Sequence, residues 1–149
     1  MVRLAKWMGT VMAAILIAIQ FVPVQRRNSA GPDGLAAPPP VKAVLRGACY
    51  DCHSNQTRRP WYSAVAPASW LAAYEVNEGR RRLNFSAWSD YAADPGTESQ
   101  KLDEIARLVA SGAMAPWYYR ALHRDARLSG EQRNLIVGWA REQAGRDAK

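Results

Sequence analysis

The stretch Cys49-Tyr50-Asp51-Cys52-His53 contains both cysteines of this 149-residue chain and one of its two histidines. At the spacing C-x-x-C-H, two thiols can each bond a vinyl group of one haem, while the next residue places an imidazole at the iron. The motif therefore predicts one covalent haem c on Cys49 and Cys52, with His53 as an iron ligand.

Other uses of the two thiols fit the rest of the sequence less well. A structural zinc site needs four nitrogen or sulfur ligands, and outside the motif only His123 remains as a donor of that kind. A thioredoxin-like dithiol is expected where strands and helices alternate, and the sequence shows no such alternation. A disulfide across the short loop would leave His53 without a role. The sequence favours haem, with zinc, a redox dithiol or a chance match as the alternatives.

A run of mostly Ala, Ile, Val, Leu and Met extends from Trp7 to Val24. As a helix with a rise of ~1.5 Å per residue it would span roughly 27 Å, which is close to the hydrocarbon thickness of a bilayer. Arg3 and Lys6 precede the run as a positive flank, and Arg26 and Arg27 follow it. Because no small-x-small cleavage site follows the run, an uncleaved anchor is favoured over a signal peptide.

The predicted organisation is an N-terminal membrane anchor over residues 1–27, a linker rich in Pro, Gly and Ala over 28–40, and one haem-binding domain over 41–149. Covalent haem attachment takes place outside the cytoplasm. We therefore expect a single-pass protein of the cell inner membrane, with the haem domain facing the periplasm.

The charge of the chain does not indicate a nucleic-acid partner. The formal net charge is +7, but residues 1–27 contain basic side chains and no acidic ones. The remainder has 16 basic and 13 acidic side chains, a net charge of +3. The excess is largely the flank of the anchor, and we interpret the run Arg80-Arg81-Arg82 as a solvated helix end.

Apolar residues recur at helical spacing throughout the predicted domain, and no stretch alternates with period two. Serine or threonine followed three residues later by Gln predicts two of the helix starts. The predicted helices begin near Val41, Pro67, Thr97 and Ser129, and the last two of them end near Gly112 and Gly145. The sequence therefore predicts an all-α domain.

The sixth ligand of the iron is expected to come from the loop Ser111–Tyr118. Met114 lies there between a Gly and a Pro, in a constrained segment that can present a thioether. His123 is the competing donor, and an open or water-bound position is the third alternative. Asp51, between the two thiols, is expected to face solvent, and the Trp of each Pro-Trp-Tyr triplet is expected in the core.

Several further motifs accompany the C-x-x-C-H stretch, and together they are Cys49–Thr57, Pro60–Ser63, Ala66–Trp70, Gly79-Arg80, Leu83–Trp88, Gly112–Tyr118 and His123. With these motifs the chain resembles the bacterial haem-binding domain family of small c-type cytochromes, over nearly everything from Pro39 to Trp139. The resemblance implies a cytochrome-c-like helical fold in which Cys49 and Cys52 carry the haem, His53 is the proximal ligand and Met114 the distal one.

A six-coordinate haem has no free position for a substrate, so its expected task is one-electron transfer. We therefore expect a membrane-anchored carrier and not an enzyme, with redox proteins such as respiratory complexes as partners and no small-molecule substrate. The alternatives are a peroxidase-like enzyme, using His123 with Arg120 or Arg124, and a haem-based redox or gas sensor subunit.

Overall fold

The computed structural model describes residues 2–25, 28 and 34–147. All regular secondary structure among these residues is helical, which confirms the prediction of an all-α chain. Short 3-10 turns lie at Ile19–Phe21, Trp61–Ala64, Phe85–Ala87 and Arg124–Ala126. The α-helices are α1 (Val2–Ala18), α2 (Pro39–Ala48), α3 (Tyr50–His53), α4 (Ala68–Arg82), α5 (Trp88–Ala92), α6 (Pro95–Ala110), α7 (Trp117–Leu122) and α8 (Gly130–Asp147).

The apolar N-terminal run forms one continuous helical stretch, Val2–Phe21, with no buried residues. It is long and apolar enough to cross a membrane, by length and composition. The flanking Arg26 and Arg27 of the predicted anchor, and residues 29–33 of the predicted linker, lie outside the described residues.

The core of the domain is formed where α6 packs against α8 and α2 packs against α8. Leu45, Leu102 and Ile136 contribute one side chain from each of these helices, and each is at most 1% exposed. Burial of an aliphatic side chain of this size stabilises the fold by about 1.5–3 kcal/mol. This packing fixes α2, and the C-x-x-C-H motif begins where α2 ends.

The second half of the predicted linker takes part in this core. Leu35 is 2% exposed and belongs to the same apolar cluster as the helices. Its backbone oxygen accepts a hydrogen bond of 3.1 Å from the Lys42 ammonium on α2. The chain is therefore attached to the domain before α2 begins.

Helix α6 begins two residues before the predicted start at Thr97. Its N-cap is Asp94, whose carboxylate accepts hydrogen bonds from the Thr97 backbone N–H at 3.0 Å and hydroxyl at 2.6 Å. Pro95, at the first helical position, has the backbone angle that this position requires. The prediction was wrong because Asp94, and not Thr97, caps the free N–H groups of the first turn.

The two ends of α8 give one confirmed and one wrong prediction. At its start, the Gln132 N–H donates to the Ser129 hydroxyl at 3.1 Å and the Ser129 N–H donates to the Gln132 amide oxygen at 2.9 Å, a reciprocal capping box. At its end, the helix continues through Gly145 to Asp147. An ion pair between Glu142 and Arg146, one turn apart, links residues on either side of the predicted stop.

Candidate haem-binding site

The C-x-x-C-H motif forms one compact turn between α2 and the rest of the domain. Cys49 ends α2, with its N–H donating to the Leu45 carbonyl at 2.8 Å. The Cys49 carbonyl then accepts from the N–H groups of Cys52 and His53, at 3.2 and 2.9 Å. Both cysteines are free and half-buried. The structure thus brings the three predicted motif residues together in a single turn.

The imidazole of His53 is oriented by the last turn of α4. Its Nδ1 atom lies 3.0 Å from the Gly79 carbonyl oxygen and 3.1 Å from the Leu83 carbonyl oxygen. Because both partners only accept, Nδ1 carries the proton and Nε2 keeps the lone pair that can bind a metal. Burial lowers the pKa of His53 against the opposing effect of these two bonds, so the ring favours the neutral form that metal binding requires.

Close contact between α3 and α4 depends on Gly79. A Cβ atom added there would lie 2.5 Å from the Cys52 carbonyl oxygen and 3.1 Å from the Cys52 Cβ. These distances are too short for any other side chain, so the glycine lets α4 approach the backbone of the motif. The resemblance includes this residue, but the spacing of the sequence gave no reason for it.

The side chain of Arg80 holds the loop that follows the motif. Its guanidinium donates to the Ser54 carbonyl at 2.8 Å, to the Thr57 hydroxyl at 2.9 Å and to the Asn28 amide oxygen at 2.8 Å. Helix α4 ends at Arg82, which confirms the helix end predicted at Arg80-Arg81-Arg82. The first of these arginines also has a structural role beside the motif.

Asp51 is buried, and the expectation that it faces solvent was wrong. It is 7% exposed, and its carboxylate accepts from the Arg58 backbone N–H at 2.9 Å, the Arg58 guanidinium at 3.0 Å and the Tyr119 hydroxyl at 2.9 Å. Burial and the negative charge of Asp51 raise the pKa of Tyr119. Asp51 therefore joins the motif to both the following loop and α7.

The environment of the two thiols disfavours the zinc and dithiol alternatives. Burial raises the pKa of Cys49 to about 12 and that of Cys52 to about 11, so both are protonated near pH 7. A redox-active dithiol has a lowered thiol pKa, so these raised values disfavour that alternative. Within residues 2–25, 28 and 34–147, no group of three or more His, Cys, Asp or Glu side chains could hold a metal ion.

A cavity of about 210 Å³ lies beside Cys52 and is lined by Tyr62, Tyr119 and His123. His123 donates from Nδ1 to the Tyr119 carbonyl at 3.0 Å and accepts at Nε2 from the Tyr62 hydroxyl at 2.8 Å. Its ring also stacks on that of Tyr119, with centroids 3.8 Å apart. The structure thus places the alternative distal donor in the cavity that Cys52 of the motif lines.

Met114 lies in the predicted loop between α6 and α7 and is half-buried. The N–H groups of Ala113 and Met114 both donate to the Leu108 carbonyl, which fastens the loop to the end of α6. The Met114 side chain lines a second cavity with Trp117, and not the cavity of Cys52. Ligation by Met114 stays a prediction.

The residues around the motif fit a covalently bound haem. Two unpaired thiols stand next to an imidazole with a defined tautomer, and an apolar cavity adjoins one of the thiols. Arg58 and Arg80 line this cavity as well, although their guanidinium groups are engaged by Asp51 and by the loop after the motif.

Comparison with known proteins gives two results. A family model described as a haem-binding domain matches residues 14–142. The chain is also similar to the cytochrome c peroxidase Ccp of Escherichia coli (strain K12), with 28% identity over 96 residues. The match covers 64% of this chain and 21% of that protein, so the chain spans about a fifth of the length of this relative. No solved structure matches the chain.

The similarity to a peroxidase contradicts the expectation that this chain is not an enzyme, because the matched relative is one. That expectation depended on six-coordinate iron with Met114 as one ligand, and this ligation stays a prediction. The family result covers most of the chain and agrees with the turn of Cys49, Cys52 and His53. The chain belongs to the haem-binding domain family.

Proposed function

We propose that Cys49 and Cys52 bind one haem c through two thioether bonds and that His53 Nε2 is its proximal ligand. The observation that carries this proposal is the orientation of His53, whose Nδ1 is held by the Gly79 and Leu83 carbonyl oxygens, so that Nε2 is the nitrogen that can bind iron. When bound, such a haem supplies an iron that exchanges single electrons between ferric and ferrous states.

The chain's own residues would set the properties of the proximal side. The carbonyls of Gly79 and Leu83 fix the plane of the His53 ring and increase the electron density on Nε2. Asp51, with its bonds to Arg58 and Tyr119, keeps the turn from moving relative to α7. A fixed ligand and a fixed attachment site lower the structural change that accompanies each electron transfer.

We propose Met114 as the distal ligand. Its loop is anchored to the Leu108 carbonyl, and a thioether is a suitable sixth ligand for a c-type haem. His123 lines the same cavity as Cys52, but both of its ring nitrogens already have partners, Tyr62 and the Tyr119 carbonyl. Ligation by His123 would therefore require the loss of a hydrogen bond, whereas the Met114 bond to Leu108 uses the backbone N–H and leaves the thioether sulfur uninvolved.

We propose that the haem transfers single electrons and that peroxide reduction is the reaction they serve. The similarity to a cytochrome c peroxidase supports the second part, and filled axial positions on the iron would support the first. The apolar helix Val2–Phe21 would anchor the chain in the inner membrane, with the haem domain on the periplasmic side and redox proteins as its partners.

Reduction of peroxide at this haem itself is the second candidate. It is favoured by His123, whose imidazole lies in the Cys52 cavity next to the Tyr62 hydroxyl and could accept or return a proton. The arginines that line this cavity are Arg58, Arg59 and Arg80, and not the Arg120 and Arg124 expected from the sequence.

Covalent attachment can be tested by the mass of the denatured chain and by its pyridine haemochrome spectrum. The wild type should retain haem under denaturing conditions, and the chain carrying both Cys49→Ala and Cys52→Ala should lose it. Haem that stays attached to this double variant would contradict the proposal.

The distal ligand can be tested with Met114→Ala and its matched comparison His123→Ala. The ferric wild type should show the near-infrared band of methionine-ligated haem, which Met114→Ala should lose and His123→Ala should keep. The reduced wild type should bind carbon monoxide slowly. A wild type without the band would refute Met114 ligation, and rapid binding of carbon monoxide would favour peroxide reduction at this haem.

A further inference from the structure

A group of large apolar side chains is exposed on one part of the domain, the 3-10 turn Trp61–Ala64 and the start of α4. Trp61 is 81% exposed and Tyr74 is 61% exposed. Trp117 is 75% exposed, so the expectation that the Trp of each Pro-Trp-Tyr triplet packs in the core was wrong for both. Contiguous exposed apolar side chains usually indicate a surface that another structure covers. We define this aromatic face as Trp61, Val65, Trp70, Leu71 and Tyr74.

The end of the apolar N-terminal helix is bound to the segment that joins the two parts of this face, between the 3-10 turn and α4. The Gln20 side chain accepts from the Ala66 backbone N–H at 2.9 Å and donates to the Ala66 carbonyl at 3.2 Å. Ala66 directly follows Val65 and lies two residues before α4 begins. The apolar helical stretch ends at Phe21, one residue after Gln20.

A second contact fixes the chain just beyond this helix. The Asn28 amide donates to the Thr57 carbonyl at 3.0 Å and accepts from the Arg80 guanidinium at 2.8 Å. Gln25 and Asn28 also line the cavity that contains Cys52 and Leu71. The domain is therefore held at the end of the helix on both sides of Phe21.

These contacts determine what would cover the aromatic face. If Val2–Phe21 crosses a bilayer, Gln20 lies at the level where the hydrocarbon meets the headgroups, and Ala66 lies at the same level. Trp and Tyr side chains concentrate at this level because their rings are apolar and their N–H or O–H groups can remain hydrated. Trp70, Leu71 and Tyr74 are all within the first two turns of α4, close to Ala66.

We propose that the aromatic face binds the headgroup boundary of the membrane crossed by α1, so that the haem domain lies on the membrane surface. This inference rests on the proposed membrane anchor. Leu71 and Cys52 line one cavity, so this orientation places the haem attachment site next to the membrane. Electron exchange would then favour partners embedded in the same membrane over partners that diffuse freely.

The test uses the full chain in vesicles of phosphatidylethanolamine and phosphatidylglycerol, with p-benzoylphenylalanine as a photo-crosslinker in place of Tyr74, which belongs to the aromatic face and does not line the Cys52 cavity. The control places the crosslinker at Leu135, an exposed leucine on α8 outside the aromatic face. Mass spectrometry should find severalfold more lipid adduct at position 74 than at position 135. Equal adduct formation at the two positions would overturn the docking proposal.

A second pair of variants tests the contact with Ala66. Gln20→Ala should lower lipid adduct formation at position 74 toward the level at position 135. Thr10→Val removes a hydrogen bond within α1, from the Thr10 hydroxyl to the Lys6 carbonyl, and should leave adduct formation unchanged. Undiminished adduct formation in Gln20→Ala would refute the role of this contact.

Carbonate extraction separates the failure of the anchor from the failure of the docking surface. A chain that leaves the membrane in carbonate contradicts the anchor, and with it the docking surface. A chain that stays in the membrane, with adducts at position 74 no more frequent than at position 135, contradicts only the docking surface. Haem attachment, measured separately by mass, does not depend on either result.

Discussion

Replacement of Gly79 by alanine should destabilise the domain because α3 and α4 touch there through their backbones. The added Cβ would lie 2.5 Å from the Cys52 carbonyl oxygen, 3.0 Å from the Cys52 carbonyl carbon and 3.1 Å from the Cys52 Cβ. The nearest of these atoms are backbone atoms of a helical turn, which cannot rotate away. The two helices would have to separate by several tenths of an ångström.

Gly138→Ala provides the matched control for this variant. Both glycines are inside α-helices, but a Cβ at Gly138 meets nothing within 4 Å. Alanine is favoured over glycine in a helix by about 1 kcal/mol at either position. Overpacking at a contact without free space costs about 1–3 kcal/mol. The free energy of unfolding of Gly79→Ala should therefore be about 1–3 kcal/mol lower than that of Gly138→Ala.

The assay is urea unfolding of each full-length variant in the same detergent, followed by tryptophan fluorescence. Haem content per chain serves as a second readout, because separation of α3 from α4 also displaces the Gly79 carbonyl from His53 Nδ1. We expect Gly138→Ala to keep the haem content of the wild type and Gly79→Ala to lower it. If Gly79→Ala is as stable as Gly138→Ala, the contact between α3 and α4 is not as tight as described.

Three further predictions concern the network around the motif and the start of α8. Asp51→Ala should lower the free energy of unfolding by about 1–3 kcal/mol, because the Arg58 N–H and the Tyr119 hydroxyl lose their acceptor. The control Asp125→Ala, on an exposed ion pair, should change it by at most about 0.5 kcal/mol; both values are measured by urea unfolding. The pKa of Tyr119 is raised in the folded chain, which therefore keeps this proton after the unfolded chain has lost it, so the free energy of unfolding should fall as the pH rises above about 10. Tyr119→Phe should show a shallower fall with pH, and equal slopes would contradict this cause. Ser129→Ala should cost about 1 kcal/mol through loss of its bond from the Gln132 N–H, and no change in thermal unfolding would exclude that contribution.

The helical class and the attachment turn could be predicted from the sequence because they depend on local patterns. Apolar residues at helical spacing and the reciprocal Ser129 and Gln132 cap are encoded within a few positions. The motif of Cys49, Cys52 and His53 likewise lies within one turn. In each case the interacting groups are close in the chain, so spacing alone determines the geometry.

Features that depend on contacts between distant segments could not be predicted in this way. Asp51 is buried because Tyr119, from α7, donates to it across 68 positions of sequence. Gly79 and Leu83 orient His53 from α4, and Gln20 reaches Ala66 across 46 positions. No local sequence pattern marks these residues, and their roles depend on contacts formed only in the folded chain.

The choice between Met114 and His123 as distal ligand also depends on a tertiary contact, the hydrogen bond of 2.8 Å from the Tyr62 hydroxyl to His123 Nε2. Removal of Met114 alone should leave an open iron position, because this bond occupies the only His123 nitrogen that can bind metal. The double variant Tyr62→Phe, Met114→Ala frees Nε2, so His123 should compete for the iron and carbon monoxide should bind more slowly than to Met114→Ala. Identical rates in the two variants would show that Tyr62 does not restrain His123, and would remove the argument for preferring Met114 over the histidine that shares the cavity of Cys52.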